Sequence, residues 1–233
     1  MLRLTELRLP LDHAPEALPA ALCHRLGIEP GDLLEFTLFK RSYDARRKDE
    51  LSLIYSIDFR VADEAALLER LRKDTKISPA PDMTYQFVGH APANLPHRPV
   101  VIGFGPCGIF AALLLAQMGF KPIVLERGQD VRQRTKDTWG LWRKHVLNPE
   151  SNVQFGEGGA GTFSDGKLYS QIKDPRYLGR KVLTEFVKAG APEEILYVAK
   201  PHIGTFRLVS MVEQMRATIT ELGGEIRFGQ KVT

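Results

Sequence analysis

The sequence predicts an α/β chain in two parts: a small α+β module over residues 1–90, then a parallel strand–helix–strand domain over residues 99–233, joined by a linker at 91–98. Three observations carry this. An apolar run from Pro99 to Ile102 enters Gly103-Phe104-Gly105-Pro106-Cys107-Gly108, continues as an apolar stretch to Met118, and returns as a second apolar run that ends at Glu126. The first ninety residues show their own strand and helix periodicities. Between them, residues 89–98 carry Pro92 and Pro96 and no apolar period.

In chain order, Leu2, Leu4, Leu7 and Leu9 alternate as a strand, and residues 15–26 form a helix closed by Gly27. The Pro30-Gly31-Asp32 turn leads to a second strand over residues 33–39, and residues 51–61 alternate as a third. Asp63 caps a helix whose Ala66, Leu67 and Leu71 face inward, and residues 84–88 supply a last strand. The order β-α-β-β-α-β is that of a ferredoxin-like split βαβ. Lys40 to Lys48 places five basic residues and Tyr43 in one hairpin. Phosphate or RNA binding suits guanidinium forks beside a ring, but a solvated charged hairpin or a domain-docking surface is the favoured reading.

In the second part each glycine has a separate task. Gly103 turns the chain off the strand, Gly105 lets the backbone approach a pyrophosphate, and Gly108 lets the helix pack close to the strand. Pro106 suits a first helical turn, whose free N–H groups and positive dipole end face the phosphates. Glu126, 18 residues beyond Gly108, is placed to accept from ribose hydroxyls. These features define a Rossmann-type dinucleotide site. Cys107 is read as a small residue at a helix start, with a redox thiol as the alternative.

A helix follows over residues 130–146, with Trp139, Trp142 and Val146 at helical spacing and assigned to core or interdomain packing. Residues 152–168 then gather five glycines with Thr162, Ser164 and Lys167. Such a stretch makes neither a good helix nor a good strand. It suits a backbone nest whose donors meet anionic or carbonyl oxygens, and the alternative is a flexible surface loop. Helices over residues 176–188 and from Leu208 to Leu222, a strand over 195–198 and another over 225–228 complete the chain.

Residues 99–128 resemble the N-terminal fingerprint of the two-dinucleotide-binding-domain flavoproteins, in which the first βαβ unit holds the ADP half of FAD. Over essentially the whole chain, three features are similar to the FAD-dependent or NAD(FAD)-utilising dehydrogenases: the small N-terminal domain, the basic hairpin with Asp44-Ala45-Arg46, and above all the loop from Glu157 to Leu168. The resemblance implies an FAD-dependent oxidoreductase. Gly103, Gly105, Pro106, Cys107 and Gly108 would surround the pyrophosphate, Glu126 the ribose and Arg127 the adenosine. Gly159, Ala160, Gly161 and Thr162 with Lys167 would meet a phosphate or the isoalloxazine edge, and the Val232 backbone the adenine. Members of that group run on through a substrate domain and a returning strand, so the chain is expected to be an N-terminal portion that holds FAD weakly and adenine nucleotides better.

His202 precedes a Gly-Thr turn, but a lone histidine there is more often structural, and no catalytic acid or base is assigned. The expected partners are FAD, an unknown small-molecule substrate and NAD(P)H as a candidate electron donor. Two other classes are weighed, a flavin-dependent RNA-associated or tRNA-modifying protein and a simple NAD(P)-binding dehydrogenase. The net charge of +4 permits anionic ligands without demanding nucleic acid. No apolar signal region opens the chain and no run of about 18 apolar residues occurs in it. With Cys23 and Cys107 in different predicted domains a disulfide framework is not expected, and no metal site is. A soluble cytoplasmic protein that does not bind membranes is the expectation.

Overall fold

The computed structural model describes residues 1–47 and 49–233. The chain is mixed α/β, with one antiparallel and one parallel sheet, and it divides into two compact units. The first comprises Met1–Met83 with Leu196–Pro201, and the second Thr84–Ile195 with His202–Thr233. The first thus ends seven residues before the boundary expected at 90 and recruits six residues from far along the sequence. No helix among the described residues is long and apolar enough to cross a membrane.

In the first unit the order is β1 (Leu2–Pro10), α1 (Ala17–Leu26), β2 (Leu33–Asp44), β3 (Ser52–Val61), α2 (Glu64–Arg70) and β4 (Ile77–Pro79). The strands lie as β2-β3-β1-β4, all antiparallel neighbours. Each helix therefore connects two strands that flank a third. Gly27, in the left-handed conformation, ends α1 by donating to the carbonyls of Cys23 and His24. The Asp63 carboxylate caps α2 by accepting from the Ala66 N–H at 2.8 Å. Leu4, Leu22, Ile57 and Phe59 are fully buried and hold the core together.

Three expectations are corrected here. The last strand is Ile77–Pro79, paired with Leu2–Leu4, and not residues 84–88. Tyr85 and Phe87 instead pack edge to face at 5.1 Å, with the Lys181 ammonium 5.3 and 5.2 Å from their centroids. Ala66 is exposed, because the inward face of α2 carries Leu67, Leu68 and Leu71. The predicted strand at 195–198 reduces to a 3-10 turn (Glu193–Leu196) and one isolated bridge from Val198 to Arg41. That bridge lies along β2, which runs five residues beyond the expected end and takes half of the basic hairpin into the sheet. Lys48 lies outside the described residues.

A buried ion pair crosses this sheet. Arg3 and Asp58 are cross-strand partners, and the guanidinium meets the carboxylate through Nε at 2.6 Å and Nη2 at 2.8 Å. The Phe39 ring covers it at 3.4 Å. Breaking a buried pair leaves a charge in low dielectric, at a cost of about 3–5 kcal/mol. Asp58→Ala should therefore lower the unfolding free energy, from a denaturant transition followed through Tyr55, by that amount; a change below about 1 kcal/mol would mean that water reaches Arg3.

The second unit contains β5 (Val100–Ile102), α3 (Pro106–Gln117), β6 (Ile123–Leu125), α4 (Val131–Lys144), α5 (Leu178–Lys188), α6 (Thr205–Glu221) and β7 (Glu225–Arg227). Its strands are parallel in the order β5-β6-β7, with Val101 beside Val124 and Val124 beside Ile226. Phe104, Ala112, Val124 and Ile219 are fully buried at its centre.

The orientation of α4 departs from the sequence reading. Val131, Arg134 and Thr138 face inward, while Trp139 is 45% and Trp142 53% exposed and Val146 is exposed too. Both sets obey helical spacing, so periodicity alone cannot choose between them. Arg134 decides the rotation, because its guanidinium is required inside.

Candidate functional site

The site begins where β5 ends. Gly103 has φ +89° and its N–H donates to the Leu125 carbonyl at 2.8 Å, fastening the turn to β6. The next N–H, of Phe104, donates to Glu126 Oε2 at 2.6 Å, and Gly128 N–H donates to Oε1 at 2.7 Å. Glu126 was expected to read ribose hydroxyls. Its carboxylate, 4% exposed, spends one lone pair of each oxygen bracing the turn. Gly105 precedes α3 in extended conformation, and Pro106 opens the helix. The first-turn N–H groups have no carbonyl four residues back within the helix and carry its positive dipole end.

Gly108 fixes how closely helix and turn approach. A Cβ there would lie 2.9 Å from the Gly103 carbonyl carbon and closer still to its oxygen. A second close approach seats the glycine loop: a Cβ on Gly128 would lie 2.6 Å from Gly156 N and closer to its Cα. The loop is then tied down by Glu157 N–H to the Gln129 carbonyl at 3.1 Å and Gly158 N–H to the Phe104 carbonyl at 2.8 Å.

Two buried charges hold the loop from beneath. Arg134 is fully buried and donates through Nε to the Asn152 carbonyl, Nη2 to that of Val153 and Nη1 to that of Glu157, at 2.8, 2.7 and 2.6 Å. Burial pulls this guanidinium down to about 10, so it stays charged at neutral pH. Glu157 Oε2 accepts from the Val131 N–H at 2.7 Å and from Arg216 Nη1 at 2.9 Å, while Oε1 is buried without a hydrogen-bond partner. Burial pushes the carboxyl up to about 7 against the pull of the Val131 N–H and Arg216, with Asp130 and Glu213 adding to the rise.

Above these supports lies a cleft of about 340 Å³ at the carboxyl ends of the parallel strands. Its lining brings together Gly103, Gly105, Glu126, Arg127, Gly159 and Val232, each singled out from the sequence. Phe155, Gln154, Gln230 and Lys231 also line it and were missed. Phe155 was legible as the aromatic next to Gly156, but nothing local pairs it with Arg127, whose guanidinium lies 3.7 Å above its ring. Glu150 bridges the two cations at the cleft, accepting from Arg127 Nε at 2.7 Å and Lys231 Nζ at 3.0 Å.

Other predicted residues lie elsewhere. Pro106, Gly161, Thr162 and Lys167 line a separate cavity. The Thr162 hydroxyl donates to the Glu157 carbonyl at 3.3 Å, and Lys167 pairs with Asp165 at 2.8 Å. Cys107 and Ala160 are exposed and line neither space. Gly108 sits behind the turn, and exposed His202 bridges Lys167 through the backbone.

Fold and site together define a mixed α/β protein whose parallel sheet ends in a glycine-lined, cation-rimmed cleft. Residues 1–60 match a family described as a domain of unknown function (DUF8436). The chain is 44% identical over 231 residues to a protein of Clostridium beijerinckii described as uncharacterized, an alignment covering 99% of this chain and 43% of that protein. The chain thus spans less than half the length of this relative.

Proposed function

We propose that the cleft binds the ADP half of FAD and that the protein is an FAD-dependent oxidoreductase. On this reading the first unit is a ferredoxin-like domain and the second the opening half of a Rossmann-type domain. The observation that carries the proposal is the space before Gly105: a Cβ there would meet protein only at Gly159 Cα, 3.8 Å away, so the cradle is open on the ligand side. The phosphates would lie at the start of α3, where N–H groups and helix dipole favour an anion, with Arg127 and Lys231, both paired to Glu150, leaving one net positive charge beside them. The Arg127–Phe155 stack offers a flat surface to the adenine. Bound FAD would supply hydride or electron transfer to a small-molecule substrate, with NAD(P)H the candidate donor.

The hairpin gives the RNA reading less support. Asp44 accepts from Arg46 at 2.7 Å and Glu50 from Arg47 at 3.0 Å, so two of its three guanidinium groups are already in ion pairs.

Gly105→Val tests the proposal, because it fills the ligand space while leaving the protein contacts intact. Calorimetric titration should show ADP binding to the unaltered protein and a loss of at least about tenfold in the variant, the 1.4 kcal/mol of a modest phosphate contact, with an unchanged melting temperature. Equal ADP affinity in the two proteins would overturn the assignment.

A further inference from the structure

On the other side of the glycine loop lies a second space, a half-open pocket of about 200 Å³ within the second unit. Its floor is apolar: Ile109 from α3 and Leu208, Met211, Val212 and Met215 from α6, all buried. Phe110 and Phe186 form an aromatic wall, 5.4 Å apart and edge to face. The exposed lining residues Pro106, Gly161, Ser164 and Lys167 mark its mouth.

We propose that this cavity is a binding site for the apolar part of a small substrate, one aromatic ring in size, whose polar end stays at the mouth beside Lys167. An apolar cavity offers water too few partners to hold it, and one of about 150 Å³ lined by Leu, Ile and Phe stays dry and takes up benzene. The present cavity is somewhat larger and lined by the same chemistry. The two methionines of its floor are flexible and polarisable, and sulfur at a ring edge is a favourable contact. Size limits the buried part of the occupant: about 200 Å³ accommodates a single ring but does not bury three fused rings. Lys167 Nζ spends one donor on Asp165 and keeps others for an acceptor on the ligand. Gly158 and Gly161 line this cavity while Gly159 lines the cleft, so the loop partitions two neighbouring sites. That the occupant is a substrate rests on the oxidoreductase reading, whereas uptake of an apolar ring rests on the pocket alone.

The test uses the full chain with methyl-labelled methionine and toluene as the probe. Toluene should shift the Met211 and Met215 methyl signals saturably, and saturating ADP should leave those shifts in place. Val212→Phe, which fills the floor, should weaken toluene at least tenfold. Should that variant fail to fold, competition on the unaltered protein decides the matter: displacement of toluene by FAD would assign the cavity to the cofactor and overturn the proposal. Absence of any saturable shift with toluene would overturn it as well.

Discussion

Gly108→Ala is expected to abolish ADP binding and to lower the melting temperature of the second unit together. The added Cβ would sit 2.9 Å from the Gly103 carbonyl carbon, nearer still to its oxygen, and 3.6 Å from a Val101 methyl. Both close atoms are backbone, so no rotamer change relieves the clash. Either α3 moves away from β5 or the turn opens, and overpacking of this kind costs about 1–3 kcal/mol, occasionally more. Moving the turn also breaks the Phe104 N–H bond to Glu126 and the Gly158 N–H bond to the Phe104 carbonyl, which seat the glycine loop. The comparison with Gly105→Val is diagnostic: there binding should fall and stability hold, whereas here both should fall. Thermal unfolding followed in parallel with ADP titration reads the difference, and a wild-type melting temperature for Gly108→Ala would show that the turn is far softer than its packing implies.

Glu157→Gln is expected to stabilise the protein at pH 8 and to flatten its pH dependence. The carboxyl titrates near 4.5 in an unfolded chain and is pushed up to about 7 by burial in the folded one. A folded state with the higher value binds the proton more tightly, so this stabilisation is complete below about pH 4.5 and is lost as pH rises through 7. That difference corresponds to roughly 3 kcal/mol. Glutamine can still accept from the Val131 N–H and carries no charge to desolvate. It loses the ion pair with Arg216, which is 28% exposed in its side chain and can turn to water. Denaturant midpoints measured from pH 4.5 to 8.5 should converge at the acid end and separate above pH 7, the variant lying higher. Parallel curves would mean that the charge of Glu157 is fully compensated by Arg216.

The turn, the first helix and the cleft's glycines were readable because their constraints are local: strand, tight turn and helix follow within thirty residues, and the glycine spacing records contacts inside that unit. What escaped was set by distant partners. Arg134 occupies a helical position at which arginine ordinarily points to solvent, and the three carbonyls that draw it inward lie 18 to 23 residues later. Once Arg134 turns in, Trp139, about 140° round the helix, must turn out, although its spacing with Trp142 alone suggested a core face. Ile77 and the pair Tyr85 and Phe87 illustrate the same limit in a strand. Both segments could pair, but Leu2–Leu4 offers one free edge, and Ile77–Pro79 takes it.

The six residues from Leu196 to Pro201 that complete the first unit have a consequence for the order in which the chain acquires structure during synthesis. Met83 and Leu196 are separated by 113 positions, the difference of their numbers. At roughly 5–20 residues per second, β2 waits between about 6 and about 23 seconds after the rest of its sheet has been made before the strip that bonds Arg41 through Tyr197 and Ala199 is synthesised. Over that interval the outer edge of β2 is exposed to the ribosome's surroundings, and the adjacent positive charges of Lys40 and Arg41 on that strand are of the kind that discourages another strand from pairing there.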